Sequence, residues 1–328
     1  MHRPSRWIPL ALLTLALTAS AAALATPGAR GKHAAAKGHG HSARPSVYTI
    51  PGAAVFPEGI ALEHGHHDFF VSSTTDGTIF KGNVRQPTLA PFAPGGADGR
   101  TTAIGLKSDD HGRLFVAGGA TGKAWVLSTR DGSTIKALDS HPGSSPTFVN
   151  DVALTRGYAY FTDSQRPVIL RVARDGATIG ELEPWLDLTG TPFTYADGFN
   201  ANGIVGLDGG RLLVVVQSNT GKLFRIDTRT REVSQIDLGG ATVTNGDGLV
   251  AQGSHVYVVR NADKLIVDVR LRRDRRAGRV VATTTSDALM FPTTAALLGN
   301  RLLVVDSQLD KQGGTPVLPF TVASVKRP

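Results

Sequence analysis

The chain has 328 residues, 38 of them glycine and none of them cysteine, and a formal net charge of +8. Without cysteine neither a disulfide nor an acylated cysteine anchor can form, so packing or a bound metal must hold the fold. Aromatic residues make up 6% of the chain. None interleaves with the basic runs as a single-strand binder requires, which excludes nucleic acid as the expected partner.

In chain order, the first element is an export leader. Arg3 and Arg6 precede an apolar stretch from Trp7 to Leu24, and Ala23-Leu24-Ala25 offers small residues to a signal peptidase. Residues 1–25 are therefore expected to be removed on secretion. No later run reaches membrane-spanning length, so no stable membrane insertion is expected after cleavage. Residues 26–45, "TPGARGKHAAAKGHGHSARP", have no apolar period and cannot bury a core. They read as a disordered basic linker, with His33, His39 and His41 as loose metal ligands at most.

Residues 46–328 read as one all-β domain. Six segments stack on one another, starting at Pro57, Ala103, Asn150, Asn202, Asp247 and Pro292. Their spacing of about 45 to 52 residues is that of propeller blades. Each holds a short apolar strand, a turn, then a β-branched or aromatic strand such as "RLFVAG", "YAYFTD" or "RLLVVV", and a third alternating strand such as "KLFRID". No segment keeps a 3.6-residue apolar period at helical length, so a doubly wound sheet is excluded. One unit cannot bury both its faces, whereas six in a circle can. The last unit has "TPVLPFTVASV" at 315–325 as its third strand and lacks an outer one; "SVYTI" at 46–50 can supply it. The expected fold is a six-bladed β-propeller closed by pairing the N-terminal strand with the C-terminal blade. A second basic run, "RLRRDRRAGR" at 270–279, sits in the fifth unit and suits an acidic polymer or surface.

The stretch "TNGDGLV" at 244–250 is by composition a tight turn, because Asn-Gly and Asp-Gly tolerate positive φ. The repeat gives Asp247 a second meaning. In a propeller the residue opening each inner strand sits at the mouth of the central channel. That position holds Glu58, Asn150 with Asp151, Asn202 and Asp247, while the second and sixth units offer Ala103 and Thr293, with Thr102 nearby. Turn chemistry does not account for Glu58 or for the shared position. Two ionised carboxylates about 4 Å apart repel by roughly 4 kcal/mol at an effective dielectric of about 20. A proton or a cation must therefore sit between Glu58 and Asp247. Two carboxylates and two amide oxygens form a hard cage, which favours calcium over magnesium or manganese. Zinc is least suited, since no His or Cys shares the position.

At these residues the chain resembles the senescence-marker-protein/gluconolactonase/luciferin-regenerating-enzyme family and the related strictosidine-synthase-like and paraoxonase propellers. The stretches that carry the resemblance are "FPEGIAL", "FVNDVAL" followed by "YAYFTDS", "FNANGIVG" and "NGDGLV". The resemblance implies a divalent cation held by Glu58, Asn150 and Asp247, with Asn202 added in the paraoxonase-like branch and Asp151 assigned to a second, structural ion. It implies hydrolysis of a lactone or ester, with Asp247 or Glu58 as the catalytic base. Two features depart from the pattern. The Arg and Asn that contact sugar lactones in the second blade are replaced by Thr101 and Thr102, with Arg100 upstream. His111 lies in a "DDHG" turn, away from where paraoxonases keep a catalytic His.

The loop after each second strand returns to the mouth where the first strand began. This places Asp163, Gln217, Asn219 and Asp306 at the rim, and the connection 185–199 adds Phe193, Tyr195 and Asp197. Thr102, Tyr195, Asp197 and Asp163 are the candidate substrate contacts. No nucleophile elbow, Walker loop or dinucleotide fingerprint is present. Two functions fit: metal-assisted hydrolysis of a small lactone or ester, or a non-catalytic extracellular propeller that binds a peptide, wall polymer or small ligand.

Overall fold

The structure is a computed structural model that describes residues 44–328 other than His64. The expected leader, and the expected linker up to residue 43, lie outside the described residues. Those described form six four-stranded antiparallel sheets and no α-helix. The inner strands are Pro57–Leu62, Leu106–Ser108, Val149–Leu154, Ala201–Leu207, Gly246–Gln252 and Pro292–Leu298. Each inner strand packs on the next, and that of blade 6 packs on that of blade 1. The fold is a six-bladed β-propeller, as the repeat predicts.

Ring closure follows from chain order. Strands Pro292–Leu298, Arg301–Asp306 and Phe320–Lys326 build blade 6 from the inside, and Val47–Ile50 is its outermost strand. The seam registers Val47 with Ala323 and Ile50 with Phe320. Tyr48, Ile50 and Phe320 are fully buried there, in one apolar cluster with Phe69 and Val71 of blade 1. Burying these large side chains is worth about 1.5–3 kcal/mol each. The two ends of the propeller therefore hold each other.

The second strands are buried on both faces because each faces two neighbours. Phe69 and Val71 point into the cluster shared with blade 6, while Phe70 points into the cluster shared with Leu114 and Trp125 of blade 2. Alternation of side chains by two residues produces this division. It explains why these strands read as continuous apolar runs in the sequence.

A bulge recurs in the inner strands. In five blades the pairing with the second strand skips two residues: between Pro57 and Ile60, Val149 and Val152, Ala201 and Ile204, Gly246 and Leu249, and Pro292 and Ala295. Such a skip bends the strand and re-aims the skipped side chains. The second skipped residue presses on the neighbouring inner strand: a Cβ at Gly59 would lie 2.2 Å from the Ile104 carbonyl oxygen, and one at Gly203 2.2 Å from that of Asp247. Hydroxyls stitch adjacent blades at the same level. Ser72 donates to the Ile104 carbonyl at 2.6 Å, Thr162 to that of Asn202 at 2.7 Å, and Thr293 to that of Glu58 at 2.9 Å.

Candidate metal centre

The first skipped residues of the bulges are Glu58, Asn150, Asn202, Asp247 and Thr293. The first four line a single cavity of about 570 Å³. All four are buried, at 3–6% exposure. In blade 2 the position at the cavity is held by Ile104, not by Ala103 as the repeat alignment predicts. Gly105, the residue after it, is the one that touches the next blade at Asp151, as Gly59 touches Ile104. The offset of one residue has a physical reason: the inner strand of blade 2 pairs over three residues only, Leu106–Ser108, and leaves a weak pattern in the sequence.

Three of the four wall residues, all but Glu58, are oriented by a group from the turn after the second strand of their own blade. The Asn150 amide donates to Ser164 Oγ at 2.8 Å and the Asn202 amide to Ser218 Oγ at 3.0 Å, while Asn261 donates to Asp247 Oδ2 at 3.1 Å. Ser164 and Ser218 in turn donate to the carbonyls of Ala201 and Gly246, in the next blade. The amide N–H groups are consumed behind the wall. Asn150 Oδ1 and Glu58 Oε2 remain buried without a hydrogen-bond partner. Leaving such atoms unsatisfied costs about 1–3 kcal/mol each, and more for a charged group. The orienting residues are a feature that reading the ligands alone passes over. Their sequence signal is the polar residue that closes "FTDS", "VVQS", "VVRN" and "VVDS" in four repeats.

Electrostatics follow from the burial. Desolvation first, then the charges of Asp247 and Asp151, push the Glu58 carboxyl well above its ordinary value, with Lys107 opposing. Asp247 is raised to about 7, chiefly by burial and also by Asp151, against hydrogen bonds from Asn261 and Asn202. Asp151 is likewise raised by burial, although Lys107 and the backbone N–H groups of Ile204 and Val152 favour its charge. Three buried carboxyls around one axis hold protons more tightly than carboxyls in water do. A cation can replace those protons.

The predicted substrate contacts divide. Thr102 lines the cavity, and its hydroxyl donates to the Thr74 carbonyl at 2.8 Å. Asp163 does not reach it. Its fully buried carboxylate accepts from the backbone N–H of Phe148, Gln165 and Arg166, from Arg166 Nε and from the Thr147 hydroxyl. Asp163 thus holds the loop that carries Phe148, and no oxygen is left for a substrate. Tyr195 donates its hydroxyl to the Asp163 carbonyl, and Tyr195 and Asp197 line a separate cavity. Gln217 and Asp306 do not line the cavity either: Gln217 bonds the Thr194 carbonyl and the Asn200 and Thr220 side chains, and Asp306 accepts from the N–H groups of Met290 and Phe291 through Oδ1 while Oδ2 stays buried without a partner. Asn219 does reach the cavity. The apolar wall comes instead from Ile104, Phe148, Phe199 and Phe291. Phe148 and Phe199 meet edge to face at 5.1 Å, and Phe199 stays 46% exposed at the mouth. His111 sits in an exposed turn against Asp110, as its sequence context predicts.

No family model matches the chain, and no curated protein matches it in sequence. Solved structures do match. The major allergen Mala s 1 of Malassezia sympodialis is 14% identical, over 87% of this chain and 97% of that one, with a TM-score of 0.63. A luciferin-regenerating enzyme is 13% identical, over 86% and 95%, at 0.60. Virginiamycin B lyase from Staphylococcus aureus is 12% identical, over 86% and 98%, at 0.55. At this identity the likeness is one of fold.

Proposed function

We propose that the chain is a secreted, divalent-cation-dependent hydrolase that opens a lactone or ester, with calcium as the preferred ion. One observation carries the reading: Glu58 Oε2 and Asn150 Oδ1 are buried oxygens without partners, beside a second buried carboxylate, Asp247, in the same cavity. Glu58, Asn150, Asn202 and Asp247 would hold the ion, an all-oxygen set that suits a hard cation. When bound, such an ion would polarise the substrate carbonyl and stabilise the oxyanion that develops on it.

The chain's own residues supply the rest. Asp247, held by Asn261, would take the proton from the attacking water; Glu58 is the second candidate. The bond from the acyl carbon to the leaving oxygen then breaks, and that oxygen takes up a proton. Phe148 and Phe199 would hold the apolar part of the substrate and exclude water. Lys, Arg and His are absent from the cavity lining among the described residues, which favours an uncharged substrate over a phosphorylated one.

The test is calorimetric titration of chelator-treated protein with calcium, then a panel of neutral lactones and esters with and without the ion. Binding and ion-dependent turnover are expected, both abolished in Asp247→Asn. Calcium binding without turnover on any neutral substrate would instead leave a non-catalytic binding propeller. Absence of binding by calcium, magnesium and manganese sinks the reading altogether.

A further inference from the structure

The basic run at 270–279 is built into the hairpin of blade 5, formed by Leu265–Leu271 and Gly278–Thr284. Its arginines fall into two groups. Arg275 is spent on Asp208 at 2.9 Å and Arg276 on Glu232 at 2.9 Å, both acids belonging to blade 4. The backbone of Asp237 also clasps the tip, donating to the Arg276 carbonyl at 3.0 Å and accepting from Gly278 N–H at 2.8 Å. These bonds fix the loop against its neighbour. Arg270, Arg272, Arg273 and Arg279 are exposed and have no acidic partner among the described residues. All four line one cavity of about 550 Å³, together with Arg275 and without any carboxylate in its lining.

The arrangement is electrostatically unfavourable as it stands. Arg270 and Arg279 are direct cross-strand partners, and like charges directly opposite one another destabilise a sheet. An anion in the cavity would relieve that repulsion, and the hairpin is already ordered to receive it. Guanidinium forks match phosphate oxygens two at a time. Four unpaired forks exceed what one phosphate can use. The site is recessed, and the one exposed large apolar side chain on these two strands is Val281, so insertion into a bilayer has little to drive it.

We propose that the four unpaired arginines of the blade 5 hairpin form a docking site for a linear, phosphate-rich polyanion, separate from the central cavity. The site tethers the protein to such a polymer and does not depend on the hydrolase reading.

The test uses the full chain and fluorescently labelled short-chain inorganic polyphosphate at about 0.15 M salt. Three triple variants are compared: Arg270→Gln/Arg272→Gln/Arg279→Gln in the hairpin, Arg130→Gln/Lys222→Gln/Arg229→Gln on blades 2 and 4, and Arg30→Gln/Lys32→Gln/Lys37→Gln near the N-terminus. All three remove the same charge. The hairpin variant should weaken binding at least about tenfold more than either control, and should flatten the salt dependence of log affinity by about two to three. A smaller margin overturns the proposal, because net charge alone would then explain binding. Tighter binding to vesicles containing phosphatidylserine than to polyphosphate, lost in the same hairpin variant, would overturn it in favour of a membrane surface. Melting temperatures no lower than the parent's verify that the fold is intact, since none of the substituted hairpin side chains is buried; the hairpin variant, relieved of its like-charge pair, should melt at or slightly above the parent.

Discussion

Replacing Gly203 by Ala tests the contact that sets both the ring and the centre. Gly203 follows Asn202 in the bulge of blade 4, and a Cβ there would lie 2.2 Å from the Asp247 carbonyl oxygen and 2.8 Å from Leu249 N. Ordinary contact is about 3.5 Å, so the inner strands of blades 4 and 5 would have to part by roughly 1.3 Å. The obstructing atoms are backbone and cannot rotate aside. Overpacking typically costs about 1–3 kcal/mol, and a backbone obstacle places this case at the upper end. At about 2–4 °C per kcal/mol for a domain of this size, the melting temperature should fall by roughly 6–12 °C. The displaced strand carries Asp247, so the rise in melting temperature produced by calcium should also shrink. The assay is differential scanning calorimetry with chelator and with calcium. Gly157→Ala serves as control, because a Cβ there meets nothing within 4 Å, and it should change stability by less than about 0.5 kcal/mol. If Gly203→Ala melts with the parent protein, the inner strands are not in the contact described and the reasoning about the centre fails with it.

Two further outcomes are expected. Glu58 and Asp247 have folded pKa values raised above their unfolded ones, so without metal the folded state binds more protons than the unfolded one. Their contribution is fully present below about pH 4 and is lost as the pH rises through about 7. With chelator present, the stability of the parent relative to Glu58→Gln/Asp247→Asn should therefore fall from about pH 4 to about pH 8, and calcium should flatten the fall; a relative stability that rises over this span contradicts the assignment. Asp163→Ala leaves three backbone N–H groups and Arg166 without their acceptor. A loss of about 3–5 kcal/mol is expected in denaturant unfolding, whereas a drop in turnover at unchanged stability would restore Asp163 as a substrate contact.

The blade count, the closing strand at 46–50 and the four wall residues at 58, 150, 202 and 247 were all legible in the sequence. They are repeated: a signal too weak in one segment becomes readable when the same pattern recurs at one spacing. The ladder in blade 2 is too short to give that signal, so Ile104 was misplaced by one residue. Tertiary structure alone decided which rim carboxylates are free. Asp163 and Asp306 look in sequence like loop acids facing a mouth, yet backbone N–H groups brought in by distant turns and the Arg166 and Thr147 side chains take both oxygens of Asp163, and the N–H groups of Met290 and Phe291 hold Asp306 through Oδ1, away from the cavity. The same holds for the arginines at 270–279. The sequence supplies a run of charge, while the position of Asp208 and Glu232 on the adjacent blade determines which guanidiniums are spent and which remain. Hydrogen-bond satisfaction is a property of neighbours in space, and a one-dimensional pattern cannot record it.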